Sequence, residues 1–238
     1  MKNILYLFSM LLVLIPLQGN AQFGGILKKA KEVVSGESSL TQDEAGLGLK
    51  EALNVGVQSA VDQLSAQNGY LESPYKILLP KEARKVVDKL KIVPGFDGIE
   101  RDLIMKMNEA AELSAKKATP IFVDAITAIT FEDALNILSG EDDAATRYLE
   151  NGSRTALYDS FLPIIQESLD EVGARVIWNK AVTAYNQIPF VSKTNPELDD
   201  HVNNKALDGL FGLIEVKEEG IRNNVDQRTS DLLKKVFQ

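Results

Sequence analysis

Apolar residues recur every three or four positions along nearly the whole chain after residue 40, as on one face of an α-helix. Alternating runs of β-branched and aromatic residues, which predict strands, hardly occur. The pattern therefore predicts an all-α, single globular domain of roughly eight to ten helices. Its longest apolar stripes are Leu49, Leu53, Val57, Ala60 and Leu64; Ile99, Leu103, Met107, Ala110 and Ser114; Leu157, Phe161, Ile165, Leu169 and Val172; and Leu198, Val202, Ala206, Leu210 and Ile214.

Several helix starts carry their own local signals. Thr41 with Glu44 predicts a capping box, and Thr130 with Asp133 predicts a second N-cap. The pair at 195–196, an asparagine followed by a proline, predicts another helix start. We also expect Thr229 to open a short final helix.

Two breaks are expected in the helical pattern between residues 144 and 172. Gly152-Ser153 predicts the end of one helix and the start of a longer one. Pro163 predicts a bend within that longer helix, because proline removes a backbone donor.

The first 21 residues have the pattern of a secretory signal peptide. A single lysine, Lys2, precedes an apolar run from Ile4 to Pro16, and the segment ends in Gly19-Asn20-Ala21. This run is too short for a comfortable membrane span, and no other segment is long and apolar enough for one. We therefore expect cleavage after Ala21 and export, with the product periplasmic or secreted.

The segment 22–40 is predicted to be an amphipathic stretch and linker before a domain at 41–238. Residues 22–35 are basic in an otherwise acidic chain, and residues 35–40 form a polar break. Such a stretch either docks on its own domain or makes weak contact with an anionic membrane surface.

Composition excludes several functional classes. The formal net charge is −8 and Lys/Arg do not cluster, which argues against nucleic-acid binding. Without cysteine there are no disulfides, thiol nucleophiles or thiolate metal sites. The one histidine, His201, falls opposite the stripe of its predicted helix, so we expect it on the solvated surface. Serine–histidine hydrolysis and histidine-ligated zinc are therefore disfavoured.

The strongest candidate for chemistry is ILSGEDDAATRYL, residues 137–149. Glu141, Asp142 and Asp143 could bind a divalent cation, but consecutive acids do not match the alternating ligands of a calcium loop. Ser139 as an N-cap, with the acids in the first helical turn, explains them better. We interpret them as a helix N-terminus and expect no metal or cofactor.

Four motifs together resemble the bacterial family known as domain of unknown function 4197. They are FVDAI (122–126), ILSGEDDAATRYL (137–149), KALDGLF (205–211) and RTSDLLKKVF (228–237), and the likeness runs from about Gly48 to the C-terminus. The resemblance implies an exported, mostly helical bacterial protein. The family carries no assigned activity or cofactor, so it transfers no catalytic residue.

These observations favour a non-enzymatic binding or interaction protein of the bacterial envelope, whose partner is an envelope protein or an apolar small ligand. The alternative is an enzyme that uses carboxylates and arginines in an interhelical cleft. A structural envelope component is a third class. The arginines at 147, 154, 175, 222 and 228 are more typical of ion pairs between helices than of a ligand site.

The leader pattern predicts that the mature protein begins at Gln22 or within about two residues of it. N-terminal sequencing of protein recovered from the envelope or medium of its host checks this. A sequence starting at Met1 in those fractions would contradict it.

Overall fold

The computed structural model describes residues 41–193 and 197–237. The expected leader, the segment 22–40 and the expected helix start at 195–196 lie outside these residues. The described ranges contain nine α-helices, one short 3-10 helix and no strand, which confirms the all-α prediction. The helices are α1 (Gln42–Leu64), α2 (Lys81–Leu90), α3 (Ile99–Ala115), α4 (Ala118–Thr127), α5 (Phe131–Leu138), α6 (Ala144–Glu171), α7 (Ala174–Gln187), α8 (Leu198–Asn223) and α9 (Asp231–Val236), with the 3-10 turn Val225–Gln227 between α8 and α9.

Helix α8 lies at the centre of the packing. It contacts chiefly α6 and α1, and also α3. Its predicted stripe is buried, as are the predicted stripes of α1 and α3. The Phe211 ring on α8 meets the Phe122 ring on α4 edge to face at 5.5 Å between centroids, which adds a directional contact to the apolar core.

The predicted capping box at Thr41 and the predicted N-cap at Thr130 are confirmed. The Glu44 N–H donates to Thr41 Oγ1 at 3.3 Å, and the Thr41 N–H donates to Glu44 Oε2 at 2.9 Å. Thr130 and Asp133 repeat this exchange at the start of α5. Each box satisfies N–H groups that have no partner inside their own helix.

The predicted break at Gly152-Ser153 is wrong, because α6 runs unbroken from Ala144 to Glu171 through both these residues and Pro163. Interior glycine and proline cost a helix about 1 and 3 kcal/mol respectively. The buried side chains of α6, which pack against α8 and α3, outweigh that cost. The Ser153 hydroxyl donates to the Leu149 carbonyl at 2.5 Å and is satisfied inside the helix.

The last helix, α9, closes over α1 and the end of α8. It begins one residue later than expected from Thr229, because Ser230 provides the cap by accepting from the Leu233 N–H at 3.1 Å. Leu233 is buried in a small cluster with Ala52 and Ile221. Lys235 Nζ donates to Glu44 Oε1 at 2.7 Å, which ties the last helix to the first described one.

The described residues form one compact unit. In the part of the chain that the structure describes, every helix is too short or too polar to cross a bilayer.

The Glu44–Lys235 contact predicts a pH dependence of stability. The Lys235 ammonium and Thr41 lower the pKa of Glu44 from 4.5 to about 2. A carboxyl with a lowered folded-state pKa stabilises the fold above its unfolded pKa and loses that effect as the pH falls through its folded pKa. Lys235→Gln should therefore lower the melting temperature above about pH 5, with the difference shrinking toward pH 2.

Lys234→Gln is the matched control, since Lys234 pairs with Asp231 on its own helix and not with Glu44. Melting curves of both variants at several pH values measure the effect. A wild-type advantage that stayed constant down to pH 2 would contradict the role given to Glu44.

Candidate functional site

The three acids singled out in the sequence lie in the turn between α5 and α6. Helix α6 begins at Ala144, so Glu141, Asp142 and Asp143 precede its first turn and do not lie within it. The predicted cap is also wrong, because the Ser139 hydroxyl donates backward to the Leu135 carbonyl at 2.9 Å, at the C-terminal end of α5. The local pattern therefore placed the helix start about four residues too early and assigned the wrong capping group.

The N-terminus of α6 is capped instead by Glu218 on α8. The carboxylate accepts from the Ala145 N–H at 2.9 Å and from the Thr146 N–H and hydroxyl at 2.7 Å each. Glu218 is only 8% exposed. Three donors at the positive end of a helix dipole offset the cost of burying this charge.

Arg222, one turn further along α8, completes the arrangement. Its Nη2 lies 2.9 Å from Glu218 Oε1 and donates to the Ile137 carbonyl at 2.9 Å, near the C-terminus of α5. Its guanidinium carbon lies 5.7 Å from the centre of the Phe237 ring, next to α9. Glu218 and Arg222, four residues apart on α8, thus provide hydrogen-bond partners for the start of α6 and the end of α5.

Two of the three acids of the turn form hydrogen bonds at the surface. Asn223 Nδ2 donates to Asp142 Oδ2 at 3.0 Å, and Arg147 Nε donates to Asp143 Oδ2 at 2.9 Å. Among the described residues, no group of three or more histidine, aspartate or glutamate side chains converges to hold a metal ion. We interpret Glu141, Asp142 and Asp143 as turn and surface residues.

The arginines form bonds within the fold, as expected. Four of them pair with carboxylates, and Arg228 donates to the carbonyls of Ile221 and Arg222 at the end of α8. The pairs are Arg147 with Asp143, Glu150 and Glu215; Arg154 with Glu150 and Asp208; Arg175 with Asp170 and Asp199; and Arg222 with Glu218.

His201 is not the freely solvated side chain that the helical pattern predicts. It is half-buried, and its Nε2 lies 2.7 Å from the Leu78 carbonyl oxygen. The imidazole thereby holds the start of α8 against the segment that leads into α2. Helical spacing could not reveal this contact, because Leu78 lies in an aperiodic loop.

That loop, residues 65–80, is fixed to α3 by two buried polar side chains. Asn108 accepts from the Ile77 N–H at 2.8 Å and donates to the Ile77 carbonyl at 2.9 Å. Glu112 accepts from the N–H groups of Asn68 at 3.2 Å and Tyr70 at 3.3 Å. Burial raises the pKa of Glu112, and the backbone donors partly oppose that rise.

The other side of the loop is packed onto α8. The buried Tyr70 hydroxyl donates to the Ala206 carbonyl at 2.8 Å. A Cβ added at Gly209 would lie 2.8 Å from Tyr70 Cε1, and one at Gly212 would lie 2.8 Å from Tyr75 Cε1. Glycine at these two positions therefore lets both tyrosine rings reach the helix backbone.

An open groove of about 690 Å³ lies between this loop, α2 and α3. Its volume is in the range of small-molecule sites. The apolar part of the lining consists of Leu71, Val87, Phe96, Ile99, Ile104 and Met105. Charged residues among the lining are Glu72, Lys76, Lys91, Glu100 and Arg101.

The charges at this rim are not fully matched. Lys91 lies 3.1 Å from Glu100 and 2.7 Å from Asp88, and these carboxylates raise its pKa. Glu72 accepts from Asn68 Nδ2 at 2.9 Å. Within the described residues neither the Lys76 ammonium nor the Glu72 carboxylate makes an ion pair, so one charge of each sign is unpaired at this rim.

The periodic pattern does not predict this groove. Half of its lining comes from two segments without periodicity, within residues 71–76 and 91–98, and Met105 lies off the predicted apolar stripe of α3. One signal was available. Asn108 and Glu112 border the buried stripe of α3, and polar side chains at such positions indicate buried hydrogen-bond partners.

Each of the four motifs quoted from the sequence supplies contacts to α8 or is part of it. Phe122 packs on Phe211, and residues 137–149 provide the backbone groups that Glu218 and Arg222 bind. The Tyr70 hydroxyl donates to the Ala206 carbonyl, and the Tyr70 ring packs against Gly209. Arg228 donates to the Ile221 carbonyl at the end of α8. The motifs are thus largely occupied in holding the fold, and the groove lies outside them.

Comparison with known proteins gives one family match. A family model described as "Protein of unknown function (DUF4197)" matches residues 39–238, in agreement with the resemblance seen in the motifs. No curated protein and no solved structure matches the chain.

The structural interpretation of residues 141–143 predicts the outcome of a substitution series. Glu218→Ala should lower the free energy of unfolding by about 3–5 kcal/mol, because it leaves the buried Arg222 charge without its carboxylate and the first N–H groups of α6 without an acceptor. The neighbouring Glu219 is exposed, and Glu219→Ala should change the free energy of unfolding by less than about 0.5 kcal/mol. Denaturant unfolding of both variants measures the difference.

Asp142→Asn should cost only a few tenths of a kcal/mol, since the exposed amide still accepts from Asn223. Neither added calcium nor a chelator should change the melting temperature of this variant or of the wild type. A midpoint that rose by several degrees with calcium, and lost the rise in Asp142→Asn, would restore the metal-site hypothesis.

Proposed function

The chain belongs to the family described as "Protein of unknown function (DUF4197)", and from that premise we propose that it is a non-enzymatic binding protein that takes an apolar ligand into the groove between α2, α3 and residues 71–76. The leader pattern of residues 1–21 supports a place for it in the bacterial envelope or beyond. The observation that carries the proposal is the groove itself.

Apolar side chains gathered in a concave site, with a few polar groups at its rim, are typical of ligand-binding pockets. The groove keeps Met105 42% exposed beside the half-buried Leu71, Phe96 and Ile104. Covering these four side chains with an apolar ligand would contribute about 25 cal/mol for each Å² removed from water.

The wall of the groove also favours binding, because it is fixed before a ligand arrives. Glu112 accepts from the N–H groups of Asn68 and Tyr70, just before Leu71. Asn108 accepts from the Ile77 N–H, just after Lys76. A site that is already ordered loses less conformational entropy on binding.

The enzyme alternative finds its nearest match in a smaller cleft between α6, α7 and the start of α8. This cleft, of about 290 Å³, is lined by Arg175 and Asp199. Those two side chains pair with each other, and Gln166 donates to Asp199 at 3.2 Å. The two charges are paired within the protein, although Arg175 Nε has no hydrogen-bond partner. The cleft therefore offers less support for chemistry than the groove offers for binding.

A neutral, environment-sensitive dye such as Nile red tests the proposal without involving charge. The wild type should bind it saturably, and Met105→Glu should weaken binding about tenfold, because a ligand would have to desolvate the new carboxylate. Met105 is partly exposed, so the fold should tolerate the change.

Val216→Glu is the control, because Val216 is 52% exposed on α8 and does not line the groove. It should bind the dye like the wild type. Equal weakening in both variants, or a wild type that does not bind, would refute the groove as the binding site.

A further inference from the structure

Two helices from distant parts of the chain, α2 and α7, lie side by side on one side of the domain. They pack against each other, and both contact α3. Each buries one face, with Val86 and Leu90 among the buried side chains of α2 and Trp178 among those of α7. The exposed faces of the two helices therefore adjoin on the outer side of α3, and we call them the α2–α7 surface.

The α2–α7 surface carries several cations that no carboxylate neutralises. The exposed cations of these helices that form no ion pair within the described residues are Lys81, Arg84, Lys85, Lys89 and Lys180. Helix α7 contains no acidic residue, and α2 contains Glu82 and Asp88. Asp88 is paired with Lys91 at 2.7 Å, which leaves Glu82 as the unpaired acid of the two helices. The surface is thus positive in a chain whose net charge is −8.

The positions of the lysines do not favour the stability of α2. Lys81, Lys85 and Lys89 follow one another at intervals of four residues on the exposed face, where like charges repel. Lys81 is also the first residue of the helix, at the positive end of the helix dipole. Both features weaken the helix, which favours a role for these lysines outside the fold.

Exposed apolar side chains stand in the turns that follow the two helices. Phe190, after α7, is fully exposed at a φ of 67°, in the left-handed region that such a residue rarely adopts. Lys193, exposed and without an ion pair, follows three residues later. After α2, Ile92 is 87% exposed, three residues beyond Lys89. These are single apolar side chains close to cations, unlike the continuous apolar patch that marks a protein interface.

From this arrangement we propose that the α2–α7 surface docks on an anionic phospholipid membrane. The row of lysines lies against the negatively charged head groups, which attract clustered cations. Phe190 and Ile92 enter the boundary between head groups and acyl chains, where exposed apolar side chains are buried. The inference goes beyond the proposed ligand binding and does not depend on it.

Sedimentation of the mature chain with lipid vesicles tests the role of charge. The chain should bind vesicles of phosphatidylglycerol and phosphatidylcholine but not phosphatidylcholine alone, and salt should weaken the binding because it screens the charges. Lys85→Gln should weaken it roughly fivefold. Lys117→Gln, at an exposed lysine between α3 and α4 that also lacks an ion pair, should leave the affinity unchanged.

A variant with Gln at positions 81, 85 and 89 extends the test. Its binding should be weaker by roughly a hundredfold if each lysine contributes about fivefold. Its melting temperature should not fall, because the three lysines repel one another in the folded helix. Loss of vesicle binding together with a lower melting temperature would show that the row supports the fold, which contradicts the proposal.

Phe190→Asn tests the apolar contact. Asparagine adopts the left-handed region readily, so the backbone should be kept. The variant should bind the anionic vesicles roughly tenfold more weakly, because the buried apolar area is lost. Leu47→Asn, at a side chain of α1 that is 61% exposed, should bind like the wild type.

Other results would overturn the proposal. Equal binding to neutral vesicles would remove the role of charge. Binding that survives in both Lys85→Gln and Phe190→Asn would place the contact elsewhere, such as on the basic segment 22–35. Lys85-dependent binding to a DNA duplex or to a second copy of the chain, without vesicle binding, would assign the surface to a different partner. Dye binding in the groove is measured without lipid, so the proposed function stands or falls separately.

Discussion

Buried helix ends have to find hydrogen-bond partners, and in this fold most of the organisation depends on how α8 meets that constraint. Backbone N–H and C=O groups at helix termini have no partner within their own helix. Glu218 and Arg222 supply partners for the start of α6 and the end of α5 from a single turn of α8. The pair fixes the sharp α5–α6 turn without a capping residue in the turn itself.

A similar pair of buried polar side chains lies on α3, where Asn108 and Glu112 are also four residues apart. There the backbone that needs partners belongs to the loop 65–80 and not to a helix. In both places an apolar helix carries two polar side chains on its buried side and uses them to hold a distant segment. On α3 the result is an open groove, because the loop is held beside the helix without covering it.

The sequence predicted the parts of the fold that depend on local periodicity. The stripes of α1, α3 and α8 are buried as expected, and the capping box of Thr41 and Glu44 forms between residues three apart. The failures share a cause. Ser139 satisfied the local rule for an N-cap, yet the true cap, Glu218, lies more than seventy residues further along the chain. Similarly, Gly152 and Pro163 disfavour a helix locally, and packing along α6 overrides them.

The groove was beyond prediction for a related reason. Its apolar residues come from two loops, from α2 and from α3, and none of these segments shows a motif on its own. The contacts by which Asn108 and Glu112 hold the loop 65–80 against α3 join residues more than thirty positions apart, which local periodicity does not reveal.

The position of the α8 partners in the chain has a consequence for how the domain forms during synthesis. Glu218 accepts from the N–H groups of Ala145 and Thr146, which lie 73 and 72 positions earlier in the chain. Lys235 donates to Glu44, which lies 191 positions earlier. Until this last stretch has emerged, the start of α6 lacks the Glu218 carboxylate and Glu44 lacks the Lys235 ammonium. These contacts are long-range in sequence, and pairings of that kind form late because the chain between them must first be ordered.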